Sequence, residues 1–278
     1  MNDVHLFQKS LKQRIGCVGT GLHTGRRSAL NLTPAPDHHG IVIRQQDRGH
    51  STSWAVDLHQ LDAQGEDLVL RSEAGRELNV SGLMVALAHA DIDHAIIDLS
   101  GPELPFMNGS AQPFAFLIEC AGIQISDQAR EIRPFPTIIE TFDGDQWVKL
   151  EPADQTLAQI GGSVFNLLDK PLRHHLTARR PMLPDDYHDA QLKALEMPGF
   201  ELFRLAGSVP TDADEQAEAE AFAAALTLAA GAMMARQYQL QITMNKANPA
   251  LLLRAWQEAI PNTSTGAAQR NQRVQSRP

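Results

Sequence analysis

Cysteine and long apolar stretches are both scarce in this chain of 278 residues. Its two cysteines, Cys17 and Cys120, are far apart and form no C-x-x-C pair, which predicts unpaired thiols in a reducing compartment. No unbroken apolar run reaches the roughly 18 residues expected of a membrane span, and the first 16 residues lack the apolar core of a secretory signal. We therefore expect a cytoplasmic protein that does not span the membrane.

An excess of positive charge is also lacking. The formal net charge is −9, which argues against nucleic acid or an anionic membrane as a partner of the whole chain. With 43% hydrophobic and 21% charged residues, the composition is that of a soluble globular protein. The length allows one large or two modest domains with buried cores.

Histidine is missing from the last third of the chain. The last of the 11 histidines is His188, so the final 90 residues contain none. Histidine is the commonest metal ligand and a frequent general acid or base. Its absence excludes chemistry based on histidine from a stretch whose first part otherwise has the pattern of folded α/β protein.

The first part of the chain has a β-rich pattern. Three short runs within residues 11–58 are bounded by Gly, Pro, Asp and His, which is typical of strands. Residues 67–71 and 77–80 are predicted to pair as one hairpin across residues 73–75.

Two helices are predicted after this hairpin. Residues 81–90 carry apolar side chains at helical spacing, with Ser81 as the candidate N-cap. A strand is expected from His94, and a second helix follows with Ser110 as its candidate N-cap and Gly122 at its end.

A second α+β pattern follows. Two strands flank Asp143-Gly144, which is a strong hairpin signal, and residues 158–168 (AQIGGSVFNLL) indicate one further strand. A long Ala-rich helix is predicted from Asp212 to Arg236, and the acidic residues in its first turns suit the helix dipole.

The last predicted elements are a strand over 238–244 and a helix that Asn248 caps and Pro249 begins. Residues 166–184, rich in basic residues, indicate an excursion. Residues 261–278 carry three Arg and no acid, so they are predicted to be a disordered tail.

These patterns predict an α+β fold made of two similar α+β domains. Each is expected to hold a small, mostly antiparallel sheet with helices, over residues 1–126 and 127–260. Two halves of similar size suggest an old duplication, although no direct sequence repeat is present.

Three blocks, in the same order, resemble one enzyme family. Residues 11–47 look like the opening of the UDP-3-O-acyl-N-acetylglucosamine deacetylases, zinc amidases that commit precursors to lipid A. Residues 101–123 resemble the family's PE-x-P-x-x-D-G-S-A-x-P-F block, with Asn108 in place of the usual Asp. Residues 130–152 resemble the start of the family's second domain.

The resemblance implies two α+β domains packed helix layer against helix layer, with the active site between them. It also implies a catalytic zinc with three protein ligands and an open position for water. A Glu would act as general base, and a His and a Lys would assist the oxyanion and the leaving amine.

The positions implied for the first domain carry other residues in this chain. The family motif T-V-E-H-L corresponds to Asn79-Val80-Ser81-Gly82-Leu83. Ser81 therefore stands at the position of the general base, and Gly82 stands at that of the first zinc ligand.

The positions implied for the second domain have changed as well. The family's H-K-x-x-D motif places Ala221 and Ala225 at the two remaining zinc ligands and Phe222 at the lysine. The late catalytic histidine falls near Asn248, which is better explained as an N-cap.

Loss of the whole set predicts that zinc is absent and that the chain has no catalytic residues of the family type. A single remaining ligand would be an unpaired buried polar group, at a cost of about 1–3 kcal/mol. This favours a pseudoenzyme, a binding or regulatory protein connected with lipid A and outer-membrane biogenesis in a Gram-negative bacterium. Its partner would be the true deacetylase or its regulators, or a nucleotide-sugar or acyl ligand. The alternative is an active deacetylase, or another amide hydrolase, with relocated metal ligands.

Other polar residues leave alternatives open. His23 is either a structural turn residue or a member of the old pocket. The most metal-like cluster spans residues 89–94, with a helix end carrying a cationic His as the alternative. A basic patch in the excursion is either a solvated loop or a contact site for an anion or partner, and it contains Arg173, His174, His175, Arg179 and Arg180.

Overall fold

A computed structural model describes residues 7–64, 67–72, 75–168, 172, 174–179 and 212–261. Within them the chain forms sixteen strands and four helices, which is the α+β class that the sequence predicted. Part of the predicted excursion and, apart from residue 261, the predicted tail lie outside the described residues.

A five-stranded sheet forms the body of the N-terminal half. One pair of neighbouring strands in this sheet is parallel, Ala95–Ser100 with Ile41–Asp47. The other pairs are antiparallel. This confirms the strands predicted within residues 11–58. The strand order is β2 (Ile15–Thr20), β3 (Arg27–Pro34), β9 (Ala95–Ser100), β4 (Ile41–Asp47) and β5 (His50–Ala55).

Two smaller sheets complete this half. The predicted hairpin is confirmed, with Val69 opposite Asn79. It belongs to a three-stranded sheet of β6 (Leu61–Gln64), β7 (Asp67–Arg71) and β8 (Glu77–Asn79). The other sheet pairs β1 (Phe7–Leu11) with β10 (Ile123–Ala129). β10 continues across the predicted boundary at residues 126 and 127, and the division into two domains stays a prediction.

One sheet forms the C-terminal half. The predicted hairpin is confirmed, with Asp143 opposite Gln146 across a two-residue turn. The strand order is β12 (Ile139–Asp143), β13 (Gln146–Pro152), β16 (Tyr238–Met244), β14 (Leu157–Ile160) and β15 (Ser163–Asn166), and β11 (Arg133–Pro134) also pairs with β16.

The prediction of a single strand over residues 158–168 is wrong. The segment is part of the β14–β15 hairpin, in which Ile160 pairs with Ser163. Gly161 in the turn has a φ of 57°, a left-handed conformation that glycine adopts without steric cost. The pair Gly161-Gly162 is itself a hairpin signal that the strand interpretation overlooked.

The four helices are α1 (Ser81–His89), α2 (Gln112–Ala121), α3 (Asp212–Ala235) and α4 (Pro249–Ala259). α1 packs against α2 in its own half and against α3 of the C-terminal half. One cluster of buried apolar side chains runs through both halves and includes Leu83, Phe114, Phe222 and Trp256. The two halves therefore meet through their helices, as the fold class implies.

Two of the predicted helix ends are correct. Asn248 caps α4, because its Oδ1 accepts the N–H of Leu251 at 2.9 Å, and Pro249 occupies the first turn. Gly122 ends α2 with a φ of 71°.

The two serine N-caps are wrong. Val80 is the N-cap of α1, and Ser81 is the first helical residue, with its hydroxyl bonded to β7 and not to the first turn of the helix. Ala111 is the N-cap of α2. Ser110 precedes this N-cap, and its hydroxyl accepts the N–H of Gln112 at 3.3 Å.

Helix α3 is apolar enough to meet the length and hydropathy requirements of a membrane span over Gln216–Ala235. In the most apolar part of this stretch, 61% is buried inside the fold. Since α3 packs against α1, α4 and β16, its apolar character is that of a core helix.

Candidate functional site at the start of helix α1

A small cavity lies at the N-terminal end of α1. Its volume is about 60 Å³, enough for a few water molecules, whereas pockets for drug-sized ligands span roughly 300–1,000 Å³. Residues of the N-terminal half form most of its wall, and Phe222 of α3 completes it. The cavity therefore lies where the two halves meet.

Ser81 is held in place by three hydrogen-bonding groups. Its hydroxyl accepts the N–H of Leu68 at 2.8 Å, and it lies 2.9 Å from Oδ1 of Asn79 and 3.1 Å from Oδ1 of Asp67. A hydroxyl has one proton, so it donates to one of these oxygens at a time. The residue at the implied general-base position thus joins α1 to β7.

Gly82 packs against Phe114 and borders the cavity. A Cβ atom at this position would lie 3.4 Å from Cε2 of Phe114 and 3.4 Å from the carbonyl oxygen of Ser110. The Phe114 side chain is itself buried. Any side chain longer than alanine would therefore have to displace the aromatic ring or enter the small cavity.

Phe222 lies in the same cavity and is 2% exposed. The structure therefore brings together Ser81, Gly82 and Phe222, three of the residues that the resemblance placed at catalytic positions. Ala225 is buried and Ala221 is half-buried, and neither lines the cavity. Asn248 is committed to its N-cap and to Oε1 of Gln146, which its Nδ2 contacts at 2.8 Å.

His23 also lines the cavity, and its backbone belongs to a turn fixed by Glu103. The N–H groups of His23 and Thr24 donate to this carboxylate at 3.2 and 2.7 Å, and the Thr24 hydroxyl donates at 2.6 Å. His23 thus combines a turn position with a place in the cavity wall. Glu103 was not predicted, although it lies in the block of residues 101–123 that carried the resemblance.

Asp67 is a second polar residue that the sequence reasoning missed. It lines the cavity, is only 8% exposed and lies beside the Ser81 hydroxyl. Its position at the first residue of a short strand carries no local signal of a site. The cavity therefore retains two carboxylates among apolar side chains.

The residues present do not fit a catalytic zinc. Gly82, Ala221 and Ala225 have no side-chain ligand atoms, whereas such a site needs three. In the part of the chain that the structure describes, no group of three or more His, Cys, Asp and Glu residues is arranged to hold a metal ion.

The metal-like cluster of residues 89–94 has another role. Asp91 lies 2.6 Å from Lys9, 2.9 Å from Arg130 and 3.2 Å from Arg236, and these cations already neutralise its charge. Burial opposes ionisation of Asp91, but the nearby cations lower the pKa of its carboxyl overall. His94 is buried, and desolvation lowers its pKa.

Three members of the predicted basic patch can be placed, while Arg173 and Arg180 lie outside the described residues. His174 is exposed, and His175 packs against Phe165 at 5.8 Å between ring centroids. Burial and the neighbouring His174 lower the pKa of His175. Arg179 is exposed and forms an isolated antiparallel bridge with Ser110, which lines the cavity. The segment therefore reaches the cavity wall.

Comparison with known proteins agrees with the blocks quoted from the sequence. The family model described as UDP-3-O-acyl N-acetylglycosamine deacetylase matches residues 8–177. The UDP-3-O-acyl-N-acetylglucosamine deacetylase of Acidithiobacillus ferrooxidans is 41% identical over 150 residues, which are 52% of this chain and 48% of the relative. Those of Shewanella woodyi and Shewanella violacea are 33% and 34% identical over 148 residues, or 53% of this chain and 48% of each relative.

The chain thus spans about half the length of the curated relatives it matches. The match to the family model covers more than half of its 278 residues and includes every block on which the resemblance was based. The chain belongs to the UDP-3-O-acyl-N-acetylglucosamine deacetylase family.

Proposed function

We propose that this chain is a catalytically inactive member of its family, a binding or regulatory protein in lipid A metabolism. The observation that carries the proposal is the packing around Gly82. Gly82 stands where the resemblance implies a zinc ligand and packs against the Phe114 ring, and Phe222 stands where it implies a lysine, in the wall of the same cavity. These residues close the site with apolar surface.

The chemistry of the cavity supports inactivity. Hydrolysis of an amide by the family mechanism needs a metal-bound water and a carboxylate base. Ser81 cannot serve as that base near neutral pH, and its oxygen already accepts the N–H of Leu68. Asp67 and Glu103 are carboxylates, but Asp67 contacts Ser81 and Glu103 fixes the turn at His23 and Thr24. We therefore propose that zinc plays no part in its function.

The size of the cavity favours a protein partner over a substrate-sized ligand. Its volume of about 60 Å³ is several-fold below that of a pocket for a small molecule. A true deacetylase or one of its regulators is therefore the first partner to test, and a nucleotide-sugar or acyl ligand is the second. The acidic net charge of −9 gives no reason to expect nucleic acid as a partner. We propose that the protein acts in the cytoplasm.

An activity measurement tests inactivity. The purified full chain would be incubated with UDP-3-O-acyl-N-acetylglucosamine and added zinc, with the Acidithiobacillus relative as positive control. We expect no free amine above the protein-free blank. Turnover that a chelator abolishes and zinc restores would contradict the proposal and support relocated ligands. Asp67→Asn, Glu103→Gln and His23→Ala would then locate them.

A binding measurement tests the second part of the proposal. The full chain would be titrated in a calorimeter with the Acidithiobacillus relative and, separately, with UDP-3-O-acyl-N-acetylglucosamine. We expect saturable binding of the protein and weaker or no binding of the nucleotide-sugar. Binding of the nucleotide-sugar alone would overturn the preference for a protein partner.

A further inference from the structure

Five charged side chains meet at the C-terminal end of α1, where each is largely buried. Their exposed fractions lie between 3% and 16%. Buried charges of this kind are rare unless they are paired. We call this group the junction cluster, and its members are Lys9, Asp91, Asp93, Arg130 and Arg236.

The pairing inside the junction cluster is dense. Besides its contacts to Asp91, Arg130 forms a two-pronged contact with Asp93, with Nε at 2.9 Å from Oδ1 and Nη2 at 2.7 Å from Oδ2. Asp93 also accepts the backbone N–H of Lys9 at 2.7 Å. Such charge-assisted, bidentate contacts are the strongest hydrogen bonds that side chains make.

Arg236 additionally contacts the end of a helix of the other half. It follows α3 directly, and its Nη1 donates to the carbonyl of Ile92 at 2.6 Å. Its Nη2 lies 3.3 Å from the carbonyl of Ala88 and 3.4 Å from that of Leu87. The last carbonyls of a helix lack partners within it and carry partial negative charge. The C-terminal half thus adds a cationic donor to the end of α1, where the backbone N–H groups of Asp91 and Ile92 already bond to the carbonyls of Ala88 and Leu87.

The cluster joins four distant parts of the chain. Lys9 lies in β1, the two aspartates lie between α1 and β9, Arg130 directly follows β10, and Arg236 follows α3. Removal of Arg236 takes one of three cations from the buried Asp91 and the side-chain donor from the carbonyl of Ile92, which should destabilise more than the loss of a surface pair. All four parts must therefore stay in place together.

We propose that the junction cluster is a latch that makes the two halves unfold as one cooperative unit and holds α1 against α3. The latch acts through Arg236. This residue follows α3, and its guanidinium contacts cluster members that lie next to α1. The latch is independent of whether the chain is catalytic. It also fixes the relative placement of the two helices whose residues Gly82 and Phe222 line the cavity.

Two buried tryptophans allow each half to be followed separately. Trp54 lies in β5 of the N-terminal half and Trp256 lies in α4 of the C-terminal half. Full-length chains with one tryptophan each are made by replacing the other two of Trp54, Trp147 and Trp256 with Phe. In both backgrounds, urea unfolding should give the same midpoint, as expected of a two-state protein.

The substitution Arg236→Met removes the latch while keeping a long apolar stem. We expect both midpoints to shift to lower urea by different amounts, so that the two transitions separate. The matched control is Arg44→Met, which removes the exposed pair with Asp98 (2.7 Å) and should leave the transitions coincident. Transitions that stay coincident in the Arg236→Met chain, at whatever midpoint, overturn the proposal.

A milder variant keeps the test decisive if the methionine chain does not fold. Arg236→Lys retains the charge but loses the planar fork that reaches several acceptors. Hydrogen exchange followed by mass spectrometry should show faster exchange at residues 87–92 than in the parent, with residues 41–47 unchanged. Equal exchange at residues 87–92 in the two proteins would also overturn the proposal.

Discussion

The two ends of α1 differ in the chemistry of the side chains around them. At its C-terminal end, Asp91 and Asp93 lie among three cations at distances of 2.6–3.2 Å. At its N-terminal end, Gly82 packs against the ring of Phe114 and shares a small cavity with Phe222. Both ends lie at the contact between the halves, so burial alone does not explain the difference.

The difference separates stability from chemistry. The charges at the C-terminal end hold each other in place, because each carboxylate is buried and contacts at least one cation. A catalytic site that is no longer used is released from this constraint once all of its polar members are replaced together. Under the proposed function, the N-terminal end of α1 has exchanged the family's chemistry for packing on the same scaffold.

The largest effect is expected at the C-terminal end. Arg130→Met should lower the free energy of unfolding by about 3–5 kcal/mol, because Asp91 and Asp93 would stay buried without this partner. Urea unfolding followed by circular dichroism measures the change. Arg44→Met, on the surface, should cost at most about 1 kcal/mol. Equal costs for the two variants would show that the buried charges at the C-terminal end of α1 contribute no more to stability than a surface pair.

The substitution Phe222→Ala tests whether the old site has become core. We expect a loss of about 3–5 kcal/mol, because the side chain is 2% exposed and its removal enlarges the cavity. Phe142→Ala is the control, since that ring is 62% exposed. A loss at Phe222 no larger than the loss at Phe142 would mean that the site is still an open pocket.

Ser81→Ala tests the joint between α1 and β7. The buried N–H of Leu68 would lose its acceptor, at an expected cost of about 1–3 kcal/mol. Ser163→Ala, at an exposed serine, should cost little. A Ser81→Ala chain as stable as the parent would show that this serine is not structural.

Asn248→Ala tests the assignment of this residue as a cap. Loss of its bond to the N–H of Leu251 should cost about 1 kcal/mol. Asn248→Asp keeps an acceptor for the same N–H and should recover most of the stability. Failure of aspartate to do so would leave the bond to Gln146 as the main role of the side chain.

The smallest effect concerns pH. His94 Nδ1 accepts the N–H of Gly40 at 2.9 Å, and Nε2 lies 2.6 Å from Oε1 of Gln8, so the neutral ring fits its site. Burial, partly offset by Asp93 and Asp37, lowers its pKa in the folded state. The unfolded chain therefore binds more protons as the pH falls below about 6.5, and stability should decrease there.

The control for this pH effect is His94→Gln, which should flatten the dependence between pH 8 and the folded-state pKa. Unfolding midpoints measured across this range give the comparison. An unchanged slope in the glutamine chain would assign the pH dependence to other groups.

Local signals predicted what local interactions decide. Asn248-Pro249 and Gly122 were identified because their capping partners lie within three residues. Ser81 and Ser110 misled because a serine before an apolar run is typical of a cap, while the actual partners of Ser81 come from β7. The pair Gly161-Gly162 indicates a turn in the sequence, but the prediction of one strand over residues 158–168 runs through it.

The remaining features depend on contacts between distant parts of the chain. In the sequence, 145 residues separate Arg236 from Asp91 and 82 separate Lys9 from Asp91. No local pattern therefore predicts the junction cluster. That Gly82 and Phe222 line one cavity could be predicted only through the family resemblance. Asp67 and Glu103 became visible only once the cavity was formed.

The most direct test of the account is the zinc content of the full chain purified without chelator, measured by inductively coupled plasma mass spectrometry. The Acidithiobacillus relative, prepared in the same way, is the control. The account predicts far less than one zinc per chain, and no retained zinc after incubation with zinc and dialysis. One tightly bound zinc per chain would contradict it, because ligands outside Gly82, Ala221 and Ala225 would then form a metal site.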